Sequence, residues 1–436
     1  MTAASFRHRV TRASVWTICG FGTQKVLQLG SNLILTRLLF PEAFGLMALA
    51  NVLLIGLAMF SDVGIKPAIV QSSQGEEEAF LNTAWTIQIV RGFILWAVAC
   101  LLAWPMALLY HQPILFPLLC ALGSTAAING LATTALASGE RKLHLGRLTV
   151  VQLIGQAVSL VVTALLAWYL RSVWALAYGA VAGAALSVAL GHLLMPSHPH
   201  RLQIDRKAAG ALLGFGRWIF LSTLVTYVGG QGLRAIQGML LPVETIGVLS
   251  IAQTFAWMPG DLVGQLLASV GFPALAEKRN SDPDAFERVV HQIRTRLLAA
   301  SLPMFISLSL ISGPLIDILY DHRYAAAGQY LAILSLTGTV GVIAMAYQNA
   351  YLALGMTRTY FNSFAIFMAA RIIGLVIGQY VGNVEGMLIG IGLGSLVGYV
   401  YTAITAQKLR IFSLALDSLA FAIVALTGLC VWFLYF

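Results

Sequence analysis

Apolar segments long enough to cross a membrane follow one another along almost the entire chain. An α-helix rises about 1.5 Å per residue, so about 20 apolar residues span a hydrocarbon layer of about 30 Å. In lipid, such a segment must satisfy its backbone hydrogen bonds internally, which favours helices. The sequence contains thirteen candidates: 14–38, 44–64, 83–109, 114–137, 148–170, 173–195, 212–241, 246–271, 297–320, 328–354, 360–381, 386–406 and 413–436.

The amino-acid composition excludes an ordinary water-soluble domain. Hydrophobic residues make up 59% of the chain and charged residues 10%, whereas soluble domains carry about 25% charged residues. We therefore predict an all-α polytopic membrane protein with about 12–13 transmembrane helices. The cysteines fall within predicted segments without CxxC spacing, and nucleotide-binding and zinc-protease motifs are missing, so we expect no metal site and no cofactor.

The distribution of basic residues predicts the orientation. With a cytoplasmic amino terminus, 18 of the 26 Lys and Arg residues fall on the cytoplasmic side, and only Arg171 and Arg323 fall outside. This asymmetry follows the positive-inside rule. It predicts a multi-pass protein with a cytoplasmic amino terminus and, after thirteen spans, an external carboxyl terminus. It also accounts for most of the net charge of +9 without a nucleic-acid partner.

An internal repeat divides the chain. A polar segment at 196–210 separates two halves, and a shift of 202 positions aligns LLFPEAFGLMALA with LLPVETIGVLSIA. Six spans separate the copies, so they run in the same direction, as in transporters that bind substrate between two parallel repeats. Chance similarity between apolar strings is the alternative. The predicted domains are a six-helix lobe at 1–195, a cytoplasmic linker at 196–210, a second six-helix lobe at 211–410 and an additional helix at 411–436.

Four further stretches carry a family resemblance: LTRLLFPEAFGLMALA (35–50), SDVGIKPAIVQ (61–71), LASGERKLHLGRL (136–148) and FGRWIFLSTLVTYVGGQGLRAIQGMLL (215–241). In their order and spacing they resemble the polysaccharide-transporter (Wzx-type) branch of the multidrug/oligosaccharidyl-lipid/polysaccharide flippase superfamily. Two departures stand out. Leu233 occupies a position where the family often has an acid, and the chain has thirteen spans rather than twelve or fourteen, which leaves the last helix peripheral to transport.

The resemblance implies a flippase of the bacterial inner membrane. Its substrate would be a polyprenyl-diphosphate-linked oligosaccharide, and its partners membrane lipids and other polysaccharide-assembly proteins. A cation-coupled multidrug exporter of the same superfamily is the first alternative, although such a protein is expected to place carboxylates in its cavity. A membrane glycan polymerase or ligase is the second, but the short outer loops leave little room for catalytic groups, so we expect no enzymatic activity.

Basic residues within the apolar segments are the candidate substrate ligands. A charge at mid-membrane costs about 2.5–3.5 kcal/mol on insertion scales, so it normally faces a wet cavity or a partner. Guanidinium and ammonium groups complement a diphosphate or acidic sugars. We therefore predict a cationic cavity between the halves, with buried ion pairs, carbonyl contacts or, for one of them, headgroup contacts as the alternatives. The predicted residues are Lys25, Arg91, Arg234 and Arg371.

Uncharged polar residues recur at helical spacing in the first, fifth and seventh segments. They either line the same cavity or bond neighbouring helices to each other. The longest runs are Gln24, Gln28, Ser31 and Asn32 in the first segment and Gln152, Gln156, Ser159 and Thr163 in the fifth.

One acid is a candidate for ion coupling. Asp261 lies near the middle of the eighth segment, where Pro259 and Gly260 should weaken the helix. A carboxylate at that depth could gain and lose a proton during transport. The remaining acids of the apolar segments are nearer the ends, where we expect solvation: Asp62, Asp317 and Asp417.

Overall fold

The structure is a computed structural model that describes residues 3–61, 65–72, 74–141, 145–195, 201–210, 227–272, 275 and 283–435. Within these ranges the regular secondary structure is helical, which confirms the all-α prediction. Eight of the described helices are long and apolar enough to cross a membrane. One of them, described below, is a pair of helices joined at a kink.

The first half of the chain forms nine helices in its described residues. They are α1 (Ala3–Leu38), α2 (Pro41–Phe60), α3 (Ile65–Gln71), α4 (Glu78–Leu109), α5 (Leu115–Gly130), α6 (Ala135–Arg141), α7 (Leu145–Leu170), α8 (Val173–Leu194) and, after a π-helical turn at Val228–Gly232, α9 (Leu233–Leu240).

Seven helices follow in the described part of the second half. They are α10 (Val243–Ala256), α11 (Met258–Leu266), α12 (Pro283–Leu310), α13 (Ser312–Leu319), α14 (Ala326–Ala353), α15 (Thr357–Lys408) and α16 (Leu414–Tyr435).

Packing divides the chain into two units, Met1–Met239 and Leu240–Phe436. In the first unit α4 packs on α5, α7 on α8, and α1 on α7. In the second unit α14 is central and contacts α10, α12, α13, α15 and α16. The boundary between the units lies after the predicted linker, and the predicted domain bounds stay a prediction.

Residues 201–205 of the linker run along α4 without regular secondary structure. Alternate backbone N–H groups, those of Arg201, Gln203 and Asp205, donate hydrogen bonds to α4 side chains. Asp205 then accepts from the backbone N–H of Ala208 and begins a short helical turn. The three acceptors on α4 are Asn82 Oδ1 at 3.1 Å, Thr86 Oγ1 at 3.0 Å and Thr83 Oγ1 at 3.0 Å.

Several predicted spans are interrupted helices. The eighth breaks at Trp257, and Pro259 lies in the first turn of α11, where its missing N–H is tolerated. The weakening expected at Pro259 and Gly260 is therefore confirmed. The fourth span ends at Gly130 and resumes as α6, and the ninth breaks at Ile311.

The eleventh and twelfth spans form a helical hairpin within α15. The backbone leaves helical geometry at Gly382 and Asn383, and the two arms fold against each other. A Cβ on Gly374 would lie 2.0 Å from the backbone oxygen of Gly390. The arms therefore pack backbone to backbone, as small residues at every fourth position allow in membranes.

One expectation about a charged residue is wrong. Arg294, one of the basic residues expected on the cytoplasmic side, lies within the continuous helix α12 and is 1% exposed. Asp417, expected to be solvated near a span end, is 2% exposed. Each charge compensates the other, which allows both to be buried.

Candidate functional site

Lys25 lies on a half-buried part of α1 that faces α7. The neighbouring Gln24 donates from Nε2 to Gln152 Oε1 at 3.2 Å, and Gln156 Nε2 donates to the backbone oxygen of Gln24 at 3.3 Å. Gln24, Gln152 and Gln156 therefore bond the two helices to each other. For these glutamines, interhelical hydrogen bonding is the interpretation that the structure supports.

Arg91 lies on α4 beside the carboxyl end of α2. Its Nε donates to Ser61 Oγ at 3.0 Å, and its Nη2 donates to the backbone oxygen of Ala58 at 2.9 Å. The last carbonyl groups of a helix lack intrahelical partners and carry partial negative charge. Protein acceptors therefore already satisfy some of the guanidinium's donors, and these donors need no bound anion.

Arg234 is half-buried on α9, directly after the π-helical turn Val228–Gly232. Such turns are frequent at functional sites. Before this turn, Tyr227 Oη donates to the backbone oxygen of Val52 at 3.1 Å. The predicted polar residues of the earlier part of this span, among them Thr223 and Thr226, lie outside the described residues.

Arg371 lies in the first arm of α15 and is half-buried. Its guanidinium carbon is 5.7 Å from the centre of the Phe367 ring, within the range of a cation–π interaction. Its Nε is buried without a hydrogen-bond partner, and no described acid forms an ion pair with it. A guanidinium in this position has donors available for an anion.

Asp261 lies in the first turn of α11, just after the break at Trp257. Its backbone N–H donates to the oxygen of Trp257 at 2.9 Å, and its side chain is exposed. The proposed coupling residue is therefore on the surface of the second unit. Its role in coupling stays a prediction.

A buried ionic cluster lies where four helices of the second unit converge. Arg294 on α12 donates from Nη2 to Asp417 Oδ1 on α16. Tyr347 on α14 and Tyr399 on α15 both donate to Asp417 Oδ2, at 2.8 and 2.5 Å. The Arg294 guanidinium carbon also lies 3.8 Å from the centre of the Tyr347 ring. Sequence reasoning missed this cluster, although an acid at the start of an apolar segment was a signal that it needed a partner.

The carboxyl-terminal end of α16 is hydrogen-bonded to α12 and α13. Tyr435 Oη accepts from the backbone N–H of Gly313 at 2.7 Å and donates to the backbone oxygen of Leu310 at 3.1 Å. These contacts bridge the break between α12 and α13. The last helix is therefore an integral part of the second unit's packing, not an appendage to it.

The break between α5 and α6 is held by side chains of neighbouring helices. Gln88 Nε2 donates to the backbone oxygens of Asn129, Gly130 and Ala132, at 3.2, 3.2 and 3.1 Å. A cavity of about 270 Å³ lies beside the break. Its polar lining groups are Lys66, Gln88, Thr133, Thr134, Gln152 and Ser187.

Metal ligands are not clustered in the described part of the chain. No three His, Cys, Asp or Glu side chains there lie close enough together to hold an ion. Cys100, Cys120 and Cys430 are free thiols.

Comparison with known proteins identifies similar chains. The family model described as "Polysaccharide biosynthesis protein" matches residues 34–329. The chain is 24% identical to the succinoglycan biosynthesis transport protein ExoT of Rhizobium meliloti over 77% of this chain and 68% of that protein. It is 20% identical to the lipopolysaccharide biosynthesis protein WzxC of Escherichia coli over 93% of this chain and 82% of that protein.

A solved structure shares the fold. The lipid II flippase MurJ in an inward closed conformation superposes with a TM-score of 0.73 at 16% identity, covering 97% of this chain and 92% of that one. This likeness confirms the predicted fold class of two helical bundles.

Proposed function

This chain belongs to the polysaccharide biosynthesis protein family, and from that premise we propose that it is a flippase for a polyprenyl-diphosphate-linked oligosaccharide. It moves this lipid from the cytoplasmic to the outer leaflet of a bacterial inner membrane, for export or assembly of a surface polysaccharide. The naming of ExoT as a transport protein and of MurJ as a lipid II flippase supports this proposal. Membrane lipids and other polysaccharide-assembly proteins are the proposed partners.

The single observation that supports an anionic substrate is the environment of Arg371, whose Nε is buried without a hydrogen-bond partner in the described residues. A guanidinium without an ion pair in an apolar helix is costly, and a bound anion would lower that cost. Arginine binds phosphate oxygens through two parallel N–H donors. We therefore propose that Arg371 binds the diphosphate, or acidic sugars next to it; a contribution of Lys25, Arg91 and Arg234 to substrate binding stays a prediction from the sequence.

The lipid tail requires apolar surface. In the second unit, a groove of about 560 Å³ lies between α14, the second arm of α15, and α16. Thr337 and the indole N–H of Trp432 are the polar side-chain groups among its described lining residues. Such a surface is compatible with a hydrocarbon chain.

A cation-coupled multidrug exporter is the alternative function. In the described residues, Asp417 is the only fully buried acid, and its ion pair with Arg294 leaves it unavailable to a cationic drug. A binding site for cationic drugs needs a carboxylate that is free to pair with the drug. Loss of such an exporter would increase drug sensitivity and leave lipid-linked glycans unchanged.

Lipid analysis after deletion of the gene tests the proposal. A flippase defect should cause full-length lipid-linked repeat units to accumulate at the cytoplasmic leaflet, and mass spectrometry of extracted lipids would identify them. A polymerase defect would instead allow single repeat units to reach the surface. Unchanged lipid-linked units in the deletion strain would contradict the proposal.

Orientation has its own test. We propose a cytoplasmic amino terminus and an external carboxyl terminus, from the basic residues of the loops. A phosphatase reporter that is active only outside the cytoplasm should be active when fused after Phe436. Activity of a cytoplasmic reporter at that position would mean that one span fewer or one more crosses the membrane.

A further inference from the structure

The cavity beside the break between α5 and α6 lies within the first unit, and its described lining residues belong to α3, α4, α6, α7, α8 and the break itself. Gln88, Gln152 and Ser187 lie about 10–15 Å along their helices from the ends that the basic loops place in the cytoplasm. We propose that this cavity binds the phosphate group of a lipid in the cytoplasmic leaflet. The site is distinct from the one proposed at Arg371, which belongs to the second unit.

The polar lining groups are mainly hydrogen-bond donors. Thr134 is 2% exposed, and its Oγ1 has no hydrogen-bond partner in the described residues. Gln152 accepts from Gln24 through Oε1, which leaves its Nε2 as a donor. Lys66 is exposed and contributes a positive charge, and Ser187 contributes a hydroxyl group. Because the described lining residues include no Asp or Glu, this set suits an anion rather than a cation.

Neighbouring contacts hold the walls of the cavity in place. Gln88 Nε2 donates to three carbonyl oxygens of the break, so these acceptors remain satisfied where the backbone leaves helical geometry. Arg141 Nη1 donates to the backbone oxygens of Ile69 and Ser72, which holds the carboxyl end of α3 against α6. The cavity therefore exists before a ligand binds, and this reduces the entropic cost of binding.

The remaining walls of the cavity are apolar, which favours a phosphate carried by a lipid over a free one. They include Ile65, Ile69, Leu136, Leu148 and Val151. Small-molecule pockets usually measure about 300–1,000 Å³, so a cavity of about 270 Å³ has room for a phosphate and the adjoining carbon atoms, but not for an oligosaccharide. Basic pockets between membrane helices on the cytoplasmic side are known to bind anionic lipid headgroups.

Native mass spectrometry of the purified full-length protein in detergent measures lipid binding at this site. We expect phosphatidylglycerol to bind, and the double substitution Lys66→Gln, Thr134→Val to weaken its binding at least tenfold. The matched double substitution Lys207→Gln, Thr125→Val removes the same groups elsewhere in the first unit and should leave the affinity unchanged. Thr134→Val alone should not lower the unfolding temperature in lipid-free detergent, because its hydroxyl group bonds no described residue.

The same titration with a polyprenyl diphosphate and with inorganic phosphate identifies the source of the phosphate. If the polyprenyl diphosphate also loses affinity in the Lys66→Gln, Thr134→Val protein, the site accepts the proposed transported lipid; if only phosphatidylglycerol does, it holds a bilayer lipid. Both results support a lipid-phosphate site. Wild-type affinity of this variant for both lipids, or inorganic phosphate that binds as tightly as either lipid, would overturn the proposal. Unchanged lipid-linked units in the deletion strain would contradict the flippase assignment and leave this site standing.

Discussion

Replacing Lys25 and Arg371 together by alanine is expected to abolish export of the glycan while leaving the protein folded. Each charge-assisted hydrogen bond to a phosphate contributes about 1.5–3 kcal/mol, or roughly a tenfold to a hundredfold change in binding. Loss of Arg371 should not lower stability, because a guanidinium without an ion pair in an apolar helix is itself costly. The variant should be expressed in a deletion strain. Surface polysaccharide then measures export, and the amount of folded protein measures stability.

Two matched variants sharpen this test. Arg37 is exposed near the end of α1, so Arg37→Ala should leave export nearly unchanged. Arg371→Lys keeps the charge but loses the planar pair of donors. It should be tolerated if the electrostatic field matters most, and poorly tolerated if bidentate binding does. Normal export by the double alanine variant would contradict a substrate role for these residues.

Gly390→Ala is expected to destabilise the second unit strongly. A Cβ at this position would lie 2.0 Å from the backbone oxygen of Gly374, so the two arms of α15 would have to separate. Overpacking of a side chain typically costs about 1–3 kcal/mol, and a backbone atom cannot rotate away to reduce this cost. Thermal unfolding of the purified protein in detergent measures the loss.

Gly382→Ala is the control for the same series of glycines. Gly382 lies at the kink with a φ of −145°, and a Cβ there meets no atom within 4 Å. Its substitution should change the unfolding temperature little. Equal effects of the two substitutions would show that the arms do not pack as closely as the structure indicates.

The fold class could be predicted from the sequence because lipid offers no hydrogen bonds to a backbone. Segment length and apolarity alone require helices under that condition, and the break at Trp257 follows from the proline two residues later. The candidate basic residues could be identified for a similar reason, because a Lys or Arg within an apolar segment is recognisable from the sequence alone. The contacts of those charges could not be predicted, and Arg91 proves to bond the end of α2.

The sequence by itself therefore determined which segments are helical, and only the tertiary structure decided which polar groups meet. Arg294 and Asp417 are separated by 123 residues, and each looked solvated because each lies near the end of an apolar segment. Their pairing depends on the convergence of α12, α14, α15 and α16, which helical periodicity does not specify. The same holds for the α15 hairpin, where the glycine spacing is visible in the sequence but the backbone contact between Gly374 and Gly390 arises only when the arms fold together.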